Sequence, residues 1–186
     1  MQHNDKGLSF ICPSKDRPFN FTYKNQNIES KATVIYKNKT YEINGKFGGI
    51  DFSKGYPPRH TIWNWASISG VSSSGIPIGM NLFRGHNDKY ENAAWIGEER
   101  MLLSNTDFIY DKNKPLDKQN WQLKTEDGLV DLVFKPSYAR KEKINTGVLR
   151  HDFIQPFGVF EGTINHNGKI HDFTGYGPVE EHESLW

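Results

Sequence analysis

The chain of 186 residues contains one cysteine, Cys12, which excludes an internal disulfide and any zinc site built from several thiolates. Its longest apolar runs extend over only a few residues, so no membrane span is predicted. The first residues, MQHNDK, are polar and no apolar segment with a cleavage site follows them, which predicts a cytoplasmic protein without a signal peptide. Basic and acidic side chains nearly cancel, at 23 against 22, which argues against nucleic-acid binding by bulk charge.

Helix-forming composition is also scarce. Alanine occurs only five times, whereas isoleucine occurs fifteen times and phenylalanine twelve. Residues that suit a half-buried pleated surface (Val, Ile, Thr, Tyr, Phe, Trp) number 56, and turn-forming Gly, Asn, Asp and Pro number 53. No window shows a sustained helical period, and short alternating runs lie between turn signals. The chain is therefore predicted to be an all-β antiparallel sandwich or barrel.

The alternating runs predict about ten strands and one main domain. Residues 1–27 are predicted to be a polar, loosely packed lead-in segment, and residues 28–186 a single β-barrel domain. Asp127-Gly128 is a signal for a type I′ turn between two strands. Asp51, in the segment GIDFSKG, is expected to cap a turn. The strands are placed at 31–36, 41–46, 61–69, 76–84, 91–96, 101–110, 121–125, 129–134, 148–154, 159–164 and 169–174.

Alternation assigns two different faces to the central strands. In Thr61–Ser69, Trp63 and Trp65 lie on one face, and the other face is mostly aliphatic. A barrel that holds a ligand needs an aromatic face with a few polar anchors, whereas a barrel filled by its own side chains does not. The alternative is that the tryptophans are core anchors whose indole N–H groups find partners. The hypothesis is that a hollow within a closed barrel is lined by Trp63, Trp65, Asn81, Phe83 and Trp95.

Three side chains are candidates for acid–base chemistry. Glu91 shares a strand face with Trp95, and a carboxyl group near indole rings can have a raised pKa and act as a general acid. The alternative is a strand-end glutamate in water. Glu180 and His182 are two residues apart, so they point the same way and could form an acid–base dyad or bind a metal, or simply a solvated terminal clamp. Asn81 is interpreted either as a ligand anchor or as a partner for a buried backbone group. No metal site and no cofactor is predicted.

Several segments, taken together, resemble a bacterial family known as domain of unknown function 2804. They include DFSKG from Asp51, WNWA from Trp63, GMNL from Gly79, ENAAW from Glu91 and QPFGVFEG from Gln155. The resemblance covers roughly residues 30–186. Members of that family are usually considerably longer, and the chain looks like their C-terminal half. Two alternatives follow: a piece of a longer protein, which implies a missing N-terminal half-domain as a partner, or a natural short form.

The resemblance also implies a fold and a type of ligand. The family is distantly similar to the two-barrel, lipocalin-like group that includes carotenoid hydratases, which implies an antiparallel lipocalin/calycin-like β-barrel. Proteins of that group hold apolar substrates and act without a metal or organic cofactor. Three hypotheses follow for this chain: a domain that binds an apolar or amphipathic small molecule, a cofactor-free hydratase, lyase or isomerase for a lipid-like or polyene substrate, and a structural packing domain.

Overall fold

The computed structural model describes residues 6–14, 17–86 and 90–185, and these residues are almost entirely β-strand. They form one short 3-10 turn at Leu116–Lys118, and no helix among them has the length and apolarity needed to cross a membrane. The strands are β1 (Leu8–Ser14), β2 (Arg17–Tyr36), β3 (Lys39–Gly55), β4 (His60–Ser72), β5 (Pro77–Gly85), β6 (Ala93–Ile96), β7 (Glu99–Leu102), β8 (Thr106–Ile109), β9 (Trp121–Thr125), β10 (Val130–Asn145), β11 (Arg150–His166) and β12 (Lys169–Leu185).

The strands form two antiparallel sheets of unequal size. Nine of them make one sheet in the order β7-β6-β5-β4-β12-β11-β10-β9-β8, and β1, β2 and β3 make a second sheet. The large sheet curls so strongly that β5 and β8, from its two halves, contact each other. The predicted antiparallel, calycin-like architecture is confirmed as a half-barrel accompanied by a three-stranded sheet.

Most predicted strands are confirmed in position, with differences at a few connections. The single strand expected at 101–110 is divided into β7 and β8, since Leu103 and Ser104 bond to Asn92 and to the Asp127 side chain instead of continuing a ladder. The two strands expected at 148–154 and 159–164 form one continuous β11. A type I′ turn at Asp127-Gly128 is wrong, because only Gly128 has a positive φ, of 71°.

The concave inner face of the half-barrel is filled by its own side chains. The predicted alternation is confirmed in β4, where Ala66 and Ile68 are fully buried in this core. Rings from the other half of the sheet complete it, with the centroids of Phe134 and Phe160 4.6 Å apart. The expectation of a hollow inside the barrel is therefore wrong, because apolar groups of both halves meet there. The core residues are Ala66, Ile68, Ile78, Met80, Leu82, Ala94, Ile96, Leu103, Trp121, Leu123, Val130, Leu132, Phe134, Phe160, Ile164, Phe173 and Val179.

The three-stranded sheet packs on the convex outer face of the large sheet. Gln26 on β2 donates a hydrogen bond to the Ser67 hydroxyl on β4 at 2.8 Å, and Asn27 donates to the Trp95 carbonyl at 2.8 Å. The expectation of loose packing before residue 28 is wrong for this stretch, where Thr22, Lys24 and Gln26 are all buried. Residues 1–5, 15 and 16 of the expected lead-in lie outside the described residues. The assignment of residues 28–186 to a single domain stays a prediction.

Candidate functional site

A cavity of about 480 Å³ lies between the outer face of the large sheet and the small sheet. Its floor comes from β4, β5, β11 and β12, and its roof comes from β2 and β3. The tryptophans of β4 therefore face an open space, although it lies outside the half-barrel. The cavity is lined by Asn20, Lys24, Asp51, Ser53, Lys54, Gly55, Pro57, Trp63, Trp65, Phe83, His86, Glu91, Gln155 and Glu180.

Strand register places the floor residues side by side. Trp65 is directly opposite Phe83 on β5 and Glu180 on β12, and directly opposed residues in antiparallel strands point to the same side of a sheet. The three side chains therefore form one row across three strands. Two residues earlier on β4, Trp63 is directly opposite His182 on β12. These two side chains form a second row on the same side of the sheet.

Buried amide groups fix the position of this floor. The Trp65 indole N–H donates to Asn81 Oδ1 at 2.9 Å, and Asn81 Nδ2 donates to the Glu91 carbonyl at 2.7 Å. Asn92 holds the backbone of Phe83, accepting from its N–H at 2.8 Å and donating to its carbonyl at 3.0 Å. Asn81 is fully buried beside Trp65 on the same face of the sheet, so it orients Trp65 and does not line the cavity.

The Glu180 carboxyl group is held by two N–H donors at the edge of the cavity. Trp63 Nε1 donates to it at 3.1 Å and Gln155 Nε2 at 2.7 Å. Burial raises the pKa of Glu180 above its usual value, and the two hydrogen bonds oppose that shift without cancelling it. The nearby Asp51 carboxylate also raises the pKa of Glu180. The result is a carboxyl group that keeps its proton to a higher pH than an exposed glutamate.

His182 lies on the far side of Trp63 and supports that ring. The two ring centroids are 3.6 Å apart in a stacked arrangement, and His182 Nε2 lies 2.6 Å from the buried Ser184 hydroxyl. Burial, together with the nearby His151, lowers the pKa of His182 to about 4, so the imidazole is neutral at pH 7. Glu180 and His182 thus share a face, as the spacing predicts, but Trp63 contacts both and His182 does not line the cavity.

An ionic cluster closes one side of the cavity. Lys24 Nζ lies 2.6 Å from Asp51 Oδ2 and 2.9 Å from Glu91 Oε1, and it is 5.5 Å from the centroid of the Trp65 ring. The side chains of Lys24 and Glu91 are only 6% and 4% exposed. A buried pair of this kind tolerates its desolvation only when both charges stay matched. Glu91 is therefore placed as the counter-ion of Lys24.

The structure brings together five of the eight side chains that the sequence singles out. Trp63, Trp65, Phe83, Glu91 and Glu180 all line the cavity, whereas Asn81 and His182 lie on the same face of the sheet but do not line it. The eighth, Trp95, donates its indole N–H to the Lys6 carbonyl and lines a separate cavity of about 540 Å³ under β2.

The lining residues that sequence reasoning missed include Lys24, Asp51, His86 and Gln155. Asp51 was expected to cap a turn, but it lies within β3. Period two in the stretch NFTYKNQN, with Phe21 and Tyr23 alternating against polar residues, is the signal that could have placed Lys24 on a strand. Within the ranges that the structure describes, no three His, Cys, Asp or Glu side chains are arranged to hold a metal ion.

Comparisons with known proteins assign the fold but no activity. The family model described as "Domain of unknown function (DUF2804)" matches residues 1–186. Kievitone hydratase from Nectria haematococca has a similar structure, with a TM-score of 0.53 and 15% identity over 96% of this chain. An AttH-like protein from Nitrosomonas europaea has a TM-score of 0.47 and 14% identity over 97% of this chain. The chain covers 56% of each of those two proteins. No protein of curated function matches significantly.

Proposed function

The chain belongs to the family described as domain of unknown function 2804, and we propose that it binds an amphipathic small molecule in the cavity between its two sheets. One observation carries the proposal: Trp63, Trp65 and Phe83 share a single cavity with the Glu180 carboxyl group and the ammonium group of Lys24. Small-molecule sites combine aromatic walls with a few converging polar groups, and they measure roughly 300–1,000 Å³. The volume of about 480 Å³ falls within that range.

The charges around the cavity favour a neutral polar end on the ligand. The lining carries the carboxyl groups of Asp51, Glu91 and Glu180, and the ammonium groups of Lys24 and Lys54. Lys24 is already matched by two carboxylates. An anionic ligand would add negative charge to a site that has three acidic groups, which is unfavourable where water is partly excluded. A hydroxyl or carbonyl group beside Glu180 avoids that cost.

Calorimetric titration with geraniol and geranic acid tests this proposal, because the two share one carbon skeleton and differ in end group. Geraniol is expected to bind about tenfold more tightly at pH 7, a difference of ~1.4 kcal/mol. Trp65→Leu is expected to weaken geraniol binding by at least about tenfold, since it removes a ring from the floor. Trp95→Phe is the matched control, because Trp95 lies outside this cavity. Equal effects of the two substitutions, or no binding of either ligand, would contradict the proposal and favour a structural packing domain.

A second candidate function is cofactor-independent hydration of an alkene, favoured by the raised pKa of Glu180 beside two indole rings. In this reaction Glu180 donates its proton to one alkene carbon, and the adjacent carbon becomes cationic. The faces of Trp63 and Trp65 would stabilise that cation. Water then forms a C–O bond and returns one proton to the Glu180 carboxylate, so that alkene and water give an alcohol. The similar structure of a hydratase makes this reaction class a reasonable first assay.

The enzyme hypothesis is tested by incubating the protein with geraniol in ¹⁸O-labelled water and following uptake of the label by mass spectrometry. Glu180→Gln is expected to reduce the rate of label uptake by at least ~100-fold, because the amide cannot serve as general acid. The same variant should still bind geraniol in calorimetry. Binding without label uptake by the unmodified protein would reject hydration of this substrate and leave the binding proposal standing.

A further inference from the structure

The β2–β3 hairpin continues well beyond the cavity as a two-stranded ribbon, Lys31–Asn44. Every residue of this ribbon is exposed, on both of its faces. The register pairs Val34 with Tyr41 and Ala32 with Ile43, so one face of the ribbon is apolar up to its tip, where Lys39 is opposite Tyr36. The opposite face carries polar groups, including the hydrogen bond from Thr33 to Glu42 at 2.9 Å.

The apolar face of this ribbon is exposed to solvent, which is unusual for a natural protein. A two-stranded hairpin in water is marginally stable, and natural proteins rarely expose contiguous apolar surface without a function. Val34, Tyr36, Tyr41 and Ile43 are 45%, 59%, 48% and 41% exposed on the apolar face, and Ile35, on the opposite face, is 73% exposed. The type I′ turn at Lys37-Asn38, with φ values of 46° and 61°, gives the ribbon a narrow, well-defined tip.

The charge of the ribbon points to the kind of surface that it contacts. The ribbon contains three lysines, Lys31, Lys37 and Lys39, and one acidic residue, Glu42. Among the described residues, none of these lysines forms an ion pair. The other long hairpin, β10–β11, differs: near its end Lys141, Lys143 and Arg150 are all paired with carboxylates, at 2.9, 2.6 and 2.7 Å.

We propose that the ribbon docks on the surface of an anionic lipid bilayer, with its apolar face lowered into the headgroup region. Tyrosine beside lysine is the composition of segments at a membrane interface, where the ring lies among headgroups and the ammonium reaches the lipid phosphates. A second copy of this chain fits less well, because stacking two ribbons would bring two sets of unpaired lysines together. Such docking would place the cavity near a source of amphipathic molecules, although it does not depend on that function.

Vesicle flotation of the full chain tests this proposal. Phosphatidylcholine vesicles with and without phosphatidylglycerol serve as the two surfaces. We expect binding to the anionic vesicles only, and weaker binding at high salt. The double variant Lys37→Glu/Lys39→Glu is expected to reduce the partition coefficient by about 25-fold or more, since each lysine near an anionic membrane contributes about fivefold.

Matched variants separate the ribbon from other surfaces. Val34→Ser/Tyr41→Ser should reduce partitioning with little change in the thermal midpoint, because both side chains are exposed and neither belongs to a core cluster of the described residues. Val148→Ser/Leu149→Ser, at the exposed end of the β10–β11 hairpin, should leave partitioning unchanged. Equal binding to both kinds of vesicle, or no binding to either, would overturn the proposal. So would a ribbon substitution that dissociates an oligomer in analytical ultracentrifugation, because a second copy would then be the occupant.

Discussion

The two faces of the nine-stranded sheet are covered very differently, although the same strands supply both. On β4, Ala66 and Ile68 are fully buried on the inner face, whereas Trp63 and Trp65 on the outer face remain partly exposed. The inner face closes because the sheet curls and apolar groups of its two halves interlock. The outer face is covered by a separate sheet whose contacting residues, such as Lys24, are polar. A polar roof does not interdigitate with aromatic rings, so space for a ligand remains between the two sheets.

The comparison predicts that a phenylalanine-to-alanine substitution lowers the free energy of unfolding more on the inner face than on the outer face. Phe134→Ala is expected to lower the free energy of unfolding by about 3–5 kcal/mol, because Phe134 is fully buried between Trp121 and Phe160. Phe153→Ala, which truncates a ring on the outer face, should cost only about 1–2 kcal/mol, since that side chain is partly exposed. Urea denaturation measures both values. Equal losses would show that the outer face is packed as tightly as the core.

Within the outer face, stability should depend on matched charges more than on packing. Glu91→Gln is expected to cost about 1.5–3 kcal/mol, because it removes a charged hydrogen-bond partner of buried Lys24, which keeps Asp51 as its other partner. Glu98→Gln is the control: Glu98 also pairs with lysines, but its side chain is 69% exposed, and such pairs contribute roughly 0–1 kcal/mol. Denaturation at pH 7 compares the two variants. A loss at Glu91 as small as that at Glu98 would mean that water reaches the Lys24 cluster freely.

The sequence predicts the division of faces but not which face is inside. Period-two alternation correctly separates Trp63 and Trp65 from Ala66 and Ile68, because alternation depends only on strand geometry. It carries no information about the direction in which a sheet curls. That direction depends on contacts between distant strands, such as those between β5 and β8. The expectation that aromatic and polar residues face the barrel interior therefore fails, although those residues do line a cavity.

The polar half of the candidate site could not be predicted for a related reason. Lys24 contacts Asp51 and Glu91, which are 27 and 67 positions away in the chain, and no local pattern connects them. Gln155 meets Glu180 only because β11 and β12 are neighbours in the sheet. A single sequence shows residue types and local periods, whereas this cluster exists only after the small sheet has packed on the large one.

The outer face should also be the pH-sensitive face. The pKa of His182 is lowered from 6.5 to about 4 in the folded chain, so the unfolded chain takes up a proton first as pH falls. Stability is therefore expected to decrease between about pH 6.5 and pH 4, by about 2 kcal/mol after allowance for partial solvent screening. His182→Phe should flatten the stability profile over this window in urea denaturation, whereas Phe134→Leu on the inner face should leave its slope unchanged. A profile that keeps its slope in His182→Phe would assign the dependence to another group.

The smallest expected effect comes from Glu180. Its contribution to stability decreases as pH rises, whereas that of His182 decreases as pH falls. Because burial raises its pKa in the folded state, the unfolded chain loses this proton first as pH rises above about 4.5. Ionisation of Glu180 thus costs stability at neutral pH, and Glu180→Gln is expected to raise the thermal midpoint at pH 7 but not at pH 4. Thermal midpoints at the two pH values measure the difference. Glu183→Gln is the contrasting control, because His60 and Arg150 lower the pKa of Glu183 and its replacement should destabilise the protein at pH 7. If Glu180→Gln instead destabilises the protein at pH 7, the hydrogen bonds from Trp63 and Gln155 favour the carboxylate more than burial disfavours it.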